Sequence, residues 1–158
     1  MTYQNKNIWI IGGTSGIGFK TALEVSKFAK NVIISGRSDL KEVDQKNIHF
    51  VRCDATKLDD LNLAVTKIKN DFEKIDILIF CAGIYEPMNL QNFNLTKSQE
   101  ILDVNFVSFL NLISVLNLSQ NQLKLSHLAI VSSIAGYFGM PNSLVYGASK
   151  SALSNLAE

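Results

Sequence analysis

The chain has 158 residues, of which 47% are apolar and 18% charged, with 15 basic against 14 acidic side chains. This length fits one domain, residues 1–158, and the net charge of +1 gives no electrostatic case for a nucleic-acid partner or an anionic membrane. No uninterrupted apolar run approaches the roughly 18 residues of a membrane span, and segment 1–7 is too polar for a signal peptide, so we expect a cytoplasmic protein.

Short β-branched runs alternate with helical patterns along the chain. The runs are apolar on both faces, which is typical of parallel strands covered by helices on two sides, and they lie at 8–11, 32–35, 49–53, 75–80 and 128–132. Helical spacing of apolar residues is found at 17–28, 57–72, about 96–116 and 143–158. The alternation predicts an α/β fold built on a doubly wound parallel sheet.

Capping patterns predict where two of these helices begin. Thr56 and Asp59 have the spacing of a capping box before the second helix, and Gln99 takes the same position in the helix that begins near Thr96. The latter helix is apolar nearly all round, which predicts burial on more than one face. Segment 38–46 is weakly patterned and is expected to be a short polar connection with at most a helical turn.

The two cysteines and two histidines show no metal-binding spacing. Cys53 and Cys81 lie in or at the end of apolar runs, and His49 and His127 stand alone beside such runs. We interpret the cysteines as small buried apolar residues and predict no metal site; a redox or metal role is the less favoured alternative.

A glycine-rich segment follows the first predicted strand directly and leads into a helix. Glycine allows a tight turn there, and the N–H groups at the start of a helix attract a phosphate. The spacing is G-x-x-x-G-x-G, and the alternative is a tight turn that binds no ligand. The cofactor contacts predicted from this segment are Gly12, Thr14, Ser15, Gly16, Ile17 and Gly18.

The end of the second strand bears on the choice of cofactor. In dinucleotide-binding folds an acidic residue at this place binds the ribose 2′-hydroxyl, whereas an arginine accommodates a 2′-phosphate. Gly36 and Arg37 supply an arginine and no acid. NADP(H) is therefore favoured as the cofactor, with NAD(H) as the alternative, unless Arg37 is merely a solvated loop residue.

Tyr146 and Lys150 lie four residues apart, which places them on one face of a helix. A nearby cation favours the phenolate form of tyrosine, although this spacing alone is common by chance. Ser132 and Ser133 close the fifth predicted strand, at the sheet edge where open α/β folds bind ligands. A hydroxyl facing a tyrosine acid above a nicotinamide suits hydride transfer to or from a carbonyl.

Taken together and in this order, the motifs resemble those of the short-chain dehydrogenase/reductase family in its single-domain, classical form. The resemblance covers essentially the whole chain and implies a Rossmann-like, three-layer α/β/α fold. It extends the predicted cofactor contacts to Asp54, Ala55, Cys81, Ala82, Gly83, Tyr146 and Lys150.

The resemblance also implies a catalytic set of four residues. Tyr146 would be the general acid and base at the substrate oxygen, and Ser133 would orient that oxygen. Lys150 would favour the phenolate of Tyr146 and bind the nicotinamide ribose. Asn105 would kink its helix and hold a water of a proton relay. The spacing of thirteen residues before Tyr146 selects Ser133, and Ser132 is expected to point to the other side of the strand.

Two departures from the family pattern leave the catalytic groups in place. Ile11 stands where the glycine motif usually begins with Thr, and Phe80 and Cys81 replace a pair of Asn residues. Family members continue with two further strands and a substrate loop. We therefore expect strands one to five, with an apolar fifth strand at the edge of the sheet. The sequence leaves open whether this is a partial chain, a truncated product or a short domain.

The predicted function is an NADP(H)-preferring oxidoreductase that interconverts a small-molecule carbonyl and a secondary alcohol. The alternative is a catalytically weak nucleotide-binding or dimerisation fragment of such an enzyme. The resemblance implies a homo-oligomer formed through the 96–116 and 143–158 helices, and nucleic-acid and membrane partners are not expected. The substrate is undetermined, but Tyr85, Met88 and Phe93 in the 84–94 loop predict an apolar wall.

Overall fold

A computed structural model describes residues 3–39 and 43–158, apart from the side chains of 117–122. Its parallel sheet has five strands in the order β3-β2-β1-β4-β5. The strands are β1 (Asn7–Ile11), β2 (Asn31–Ser35), β3 (Ile48–Phe50), β4 (Ile77–Phe80) and β5 (His127–Ile130). The doubly wound α/β fold predicted from the alternating pattern is confirmed, and β5 lies at one edge of the sheet, as expected.

The central strand β1 is buried on both faces along its whole length. Alternate residues of a strand point to opposite sides of the sheet. Trp9 and Ile11 accordingly belong to one apolar cluster, while Ile8 and Ile10 belong to another. This two-sided burial is the reason that the strand runs lack an alternation of apolar and polar residues.

Helices cover both faces of the sheet. They are α1 (Gly16–Val25), α2 (Leu58–Phe72), α3 (Leu95–Leu102), α4 (Ser108–Leu123) and α5 (Leu144–Ala157), with a π-helical turn at Asp103–Val107 between α3 and α4 and a 3-10 turn at Ile134–Gly136. Helices α2 and α4 pack together over the apolar cluster that contains Trp9 and Ile11, which we call the Trp9 cluster. Ala22 of α1 packs on the opposite face of the sheet. Because all five strands run in the same direction, their carboxyl ends meet at one edge, where the loops leading to the helices converge.

Several predicted boundaries were wrong. The strand predicted at 49–53 ends at Phe50, and the helix predicted at 17–28 ends at Val25. The capping box at Thr56 does not form, because the Thr56 hydroxyl donates to Asp54 Oδ1 at 2.8 Å and α2 begins after Lys57 without a side-chain cap. The connection predicted at 38–46 lies partly outside the described residues.

The long helix predicted at 96–116 also differs from expectation at its start and in its middle. Its cap is Asn94, whose side chain accepts a hydrogen bond from the backbone N–H of Lys97 at 2.9 Å. Gln99 instead donates to Asp103 Oδ1 at 2.8 Å. The π-helical turn then divides the run into two α-helices.

By length and composition alone, one helical run of the described residues is long and apolar enough to cross a membrane, although polar residues interrupt it. The run Leu95–Leu116 has 22 residues and a mean hydropathy of 1.3 over its most apolar window. Helices that pack in a protein core meet the same criteria, and here Phe109, Leu112 and Val115 are buried in the Trp9 cluster. Core packing therefore accounts for much of the apolar character of this run.

The amino-terminal edge of the sheet is held together by Asp76. Its carboxylate accepts hydrogen bonds from the backbone N–H of Asn7 at 2.9 Å and from Lys6 and Lys74 Nζ at 3.3 and 3.1 Å. Burial raises the pKa of Asp76, but these three donors outweigh burial and hold the pKa below its ordinary value. The charged form of Asp76 thus stabilises the fold on the side of the sheet away from the loop cluster.

Candidate active site

A cavity of about 400 Å³ opens at the carboxyl edge of the sheet, where the loops after β1, β2 and β4 meet α5. All of the residues predicted to contact a cofactor line this cavity. They are Gly12, Thr14, Ser15, Gly16, Ile17, Gly18, Arg37, Asp54, Ala55, Cys81, Ala82, Gly83, Tyr146 and Lys150.

The glycine segment forms a tight turn between β1 and α1. Gly12 has a φ of +79°, and a Cβ at this position would lie 2.6 Å from the backbone nitrogen of Ala82. Glycine is therefore required both by the backbone conformation and by the close approach of the β4 loop. At the start of α1, Ser15 provides no side-chain cap, so the N–H groups of the first turn have no acceptor within the helix and lie at the cavity wall.

Arg37 and Asp54 both line the cavity. Arg37 is exposed, and within the described part of the chain no ion pair engages it. Asp54 is fixed by a turn in which its Oδ1 accepts hydrogen bonds from the backbone N–H and the hydroxyl of Thr56 at 3.1 and 2.8 Å. The cavity wall thus includes an exposed guanidinium without an ion pair among the described residues and a carboxylate held in a turn.

Lys150 is buried beside Tyr146 on α5. Its Nζ donates a hydrogen bond to the carbonyl oxygen of Val131 at 3.0 Å and lies 5.8 Å from the centroid of the Tyr146 ring. Burial lowers the pKa of Lys150 from its ordinary value. The spacing of four residues does bring the phenol and the amine together at the cavity, as the sequence predicted.

Asn105 lies in the π-helical turn and is fully buried. Its Oδ1 accepts a hydrogen bond from the backbone N–H of Ile84 at 2.7 Å, and its Nδ2 donates to Ile84 O and to Ser149 Oγ, both at 3.0 Å. The helix thus departs from α geometry at Asn105, and the side chain ties the β4 loop to α5. Both amide hydrogens are engaged by protein groups, and a role for Asn105 in holding water stays a prediction.

The two serines after β5 have different partners. Ser133 Oγ accepts a hydrogen bond from the backbone N–H of Ala135 at 3.2 Å, which caps the 3-10 turn, and Ser133 is not among the residues lining the cavity. Ser132 lines the cavity, but its hydroxyl faces α5, where it donates to Lys150 O at 3.0 Å and lies 2.7 Å from Ser154 Oγ. Among the described residues the hydroxyl proton of Ser133 has no acceptor, whereas the Ser132 hydroxyl is occupied by the helix. The structure thus does not place Ser133 on the cavity wall with Tyr146.

The cysteines lie at the cavity but differ in their surroundings. Burial, with smaller effects of Asp60 and Asp54, raises the pKa of Cys53 to about 12. Burial also raises the pKa of Cys81, and the charge of Lys150 opposes that rise. Both thiols are free, and the described residues contain no cluster of metal ligands.

Three structural partners of the site were missed in the sequence. Ser149 accepts from Asn105, the carbonyl of Val131 holds Lys150, and the Tyr85 ring contacts the Tyr146 ring edge to face with centroids 5.0 Å apart. Tyr85 was predicted only as part of an apolar wall. The sequence offered one signal for Ser149. This residue directly precedes Lys150, which places its hydroxyl on the helix that carries Tyr146 and Lys150.

A parallel sheet with a glycine turn, a helix start and a tyrosine–lysine pair at its carboxyl edge defines a dinucleotide-binding α/β protein. Comparison with protein families then matches residues 6–158 to the family described as short chain dehydrogenase. The chain belongs to the short-chain dehydrogenase/reductase family.

Similar proteins include an uncharacterised oxidoreductase of Listeria monocytogenes, with 32% identity over all of this chain and 67% of that protein. An uncharacterised oxidoreductase of Saccharomyces cerevisiae is 27% identical over 95% of this chain and 50% of that protein. Among solved structures, ElxO with NADP bound has a TM-score of 0.86 at 29% identity, covering 97% of this chain and 65% of that one. An NADH-dependent reductase complexed with NAD has a TM-score of 0.82 at 26% identity, covering 98% of this chain and 70% of that one. The chain thus spans about half to two thirds of the length of the relatives it matches.

Proposed function

We propose that this protein is an NADP(H)-preferring oxidoreductase that interconverts a carbonyl and a secondary alcohol with Ser133, Tyr146 and Lys150. The observation that carries the proposal is that one cavity contains both the start of α1, where no side chain caps the first-turn N–H groups, and the Tyr146–Lys150 pair. Phosphate binding and proton transfer would therefore take place in a single cleft.

The residues present fit a nicotinamide dinucleotide. The first-turn N–H groups of α1 would hold the pyrophosphate. At Gly83 a Cβ would lie 3.4 Å from Lys150 Nζ and 3.5 Å from Asn105 Oδ1, so the absence of a side chain keeps the space above the ammonium open. Lys150 would hold the nicotinamide ribose there, and Asp54 and Ala55 would contact the adenine.

The cofactor supplies or accepts the hydride at the substrate carbon when it is bound. Tyr146 Oη would give its proton to the substrate oxygen during reduction and take it back during oxidation. The Ser133 hydroxyl accepts a hydrogen bond from Ala135, and its own proton would be donated to the substrate oxygen to orient it. Lys150, held by Val131, would stabilise the negative charge on the phenolate oxygen.

The preference for NADP(H) rests on Arg37. Arg37 lines the cavity, and its guanidinium is not paired with an acidic side chain in the described residues. A charge-assisted contact with a 2′-phosphate would favour NADP(H) over NAD(H). The known structures similar to this one include both an NADP complex and an NAD complex, so the preference is a property to be measured on this chain.

The remaining parts of the proposal concern location and assembly. Free Cys53 and Cys81 suit a reducing compartment such as the cytoplasm.

The described 96–116 and 143–158 helices expose large apolar residues, which supports a homo-oligomer formed through them; these residues are Val107, Leu110, Leu144 and Leu156. A mass equal to one subunit in light scattering would contradict that assembly.

The test of the reaction is Tyr146→Phe, which removes the proton donor and keeps the ring. NADPH binding, measured by its fluorescence, should be retained, while reduction of a panel of ketones and aldehydes should fall by about 100-fold or more. Turnover retained at the wild-type rate would refute the role of Tyr146. NADPH binding by the wild type without any turnover would favour the alternative, a nucleotide-binding protein without activity.

A further inference from the structure

We infer that Tyr85 is a specificity-determining residue that selects carbonyl substrates carrying an aromatic substituent next to the carbonyl group. This inference rests on the proposed function, because it assigns a substrate class to the same cavity. The sequence placed Tyr85 in a loop with an apolar wall, and the structure gives the residue a particular neighbour, orientation and support.

The support is a set of hydrogen bonds centred on Asn142, which we call the Asn142 clasp. Its members join the segment 85–89 to the segment 142–144, just before the helix that carries Tyr146. They are Met88 N to Asn142 O at 2.9 Å, Leu144 N to Met88 O at 3.2 Å, Asn89 Nδ2 to Asn142 Oδ1 at 2.8 Å and Tyr85 Oη to Asn142 O at 3.4 Å.

Met88 anchors the Asn142 clasp to the rest of the fold. Met88 is buried, and its backbone forms an isolated parallel β-bridge with Ser143. The hydroxyl of the buried Ser98, which donates to Asn94 O at 2.7 Å, lies 3.3 Å from Met88 Sδ. The loop that carries Tyr85 is thus fixed relative to α5 by contacts on both sides of the bridge. A fixed loop holds its aromatic ring in one place and loses little entropy when a ligand binds.

The orientation of Tyr85 determines which part of it a ligand meets. Its hydroxyl points to Asn142 O, and its ring lies at 77° to the Tyr146 ring with centroids 5.0 Å apart. The side chain lines the cavity and is 53% exposed. The surface that Tyr85 offers beside the proton donor is therefore the aromatic ring and not the hydroxyl.

An exposed ring next to the proton donor favours a second ring on the substrate. Aromatic pairs in edge-to-face or offset arrangements attract each other by more than the area they bury, since the ring edge is positive and the face is negative. The added attraction corresponds to about threefold to tenfold in affinity or in kcat/KM. A saturated ring of the same size has no such face and should not gain this factor.

The experiment compares acetophenone with cyclohexyl methyl ketone, which differ in the aromaticity of the ring. The ratio of kcat/KM for the two ketones is measured with NADPH for the wild type, Tyr85→Leu and Tyr85→Phe. The ratio of acetophenone to cyclohexyl methyl ketone should fall about threefold to tenfold from the wild type to Tyr85→Leu and be kept in Tyr85→Phe, which retains the ring. The intrinsic difference in reactivity between the two ketones is the same for all variants and cancels in this comparison. Phe28→Leu is the matched control, because Phe28 is an exposed aromatic residue outside the cavity.

Binding without turnover gives an independent readout. In a Tyr146→Phe background, acetophenone is titrated into the NADPH complex and binding is followed by nicotinamide fluorescence. Adding Tyr85→Leu should weaken acetophenone binding about threefold to tenfold and leave the affinity for NADPH unchanged. If kcat/KM falls equally for both ketones in Tyr85→Leu, so that the ratio equals that of the wild type, the inference is overturned. If the wild type reduces no member of the ketone and aldehyde panel, the proposed function fails, and the titration alone decides on Tyr85.

Discussion

Replacing Ser149 with Ala tests whether one hydroxyl joins the catalytic helix to the π-helical turn. The Ser149 hydroxyl donates to Tyr146 O at 2.7 Å and accepts from Asn105 Nδ2 at 3.0 Å. Ser149 and Asn105 are both completely buried. The substitution therefore leaves an amide hydrogen of Asn105 without an acceptor in a place that water does not reach.

The size of the effect follows from this orphaned donor. A buried polar group that loses its partner costs about 1–3 kcal/mol. Alanine recovers a few tenths of a kcal/mol because it is a better helix former than serine. The net loss in the free energy of unfolding should be about 1–2 kcal/mol, which for a chain of this length corresponds to about 2–8 °C in Tm.

The loss is measured by denaturant unfolding, as a fall in the midpoint at an unchanged slope. Ser114→Ala is the matched control, since Ser114 lies exposed on α4 and its side chain has no hydrogen bond to any described side chain or backbone group. That control should stay within about 0.5 kcal/mol of the wild type. A loss of less than about 0.5 kcal/mol in Ser149→Ala would refute the argument that Asn105 depends on Ser149.

Two further predictions concern charged residues. Asp76 has a lowered pKa, so the stability it contributes is present above the ordinary carboxyl pKa of about 4 and is lost as the pH falls through the lowered value. The difference in unfolding midpoint between the wild type and Asp76→Asn should therefore shrink from pH 7 towards pH 3; a constant difference, or an equal effect of the exposed Asp44→Asn, would count against this. Arg37→Ser should weaken NADPH binding about 10-fold to 100-fold and NADH binding less than about threefold. Arg52→Ser, which removes an exposed arginine paired with Asp39, should change neither affinity, and equal losses for both cofactors in Arg37→Ser would show that no 2′-phosphate is contacted.

The parts of the fold that depend on local patterns could be predicted from the sequence. The spacing of Leu61, Val65, Ile68 and Phe72 predicts one apolar face of α2, and in the structure the first three are buried while Phe72 is partly buried against the same cluster. The glycine turn and the Tyr146–Lys150 pair were also predictable, because each lies within a few residues of the chain and follows a strand or lies on a helix.

The contacts that complete the site could not be predicted in this way. Asn105 and Ser149 are 44 residues apart, and Tyr85 and Asn142 are 57 residues apart, so each contact depends on how elements pack and not on any local pattern. The capping box failed for a related reason. A capping box needs the Thr56 hydroxyl oxygen to accept a hydrogen bond from the backbone N–H of Asp59, but the residue before α2 is Lys57, and the Thr56 hydroxyl donates to the turn at Asp54.

The π-helical turn at Asp103–Val107 separates two tasks of one helix. A π-helical turn contains one residue more than the α-helical turn it replaces, and it does not change the face that the following α-helix presents. Deletion of one residue within this turn would therefore leave Phe109 and Leu112 directed at the core, and it would move only the segment around Asn105. The attachment of the β4 loop to α5 is thus encoded by the length of the chain at this turn, independently of the apolar residues that hold the helix in place.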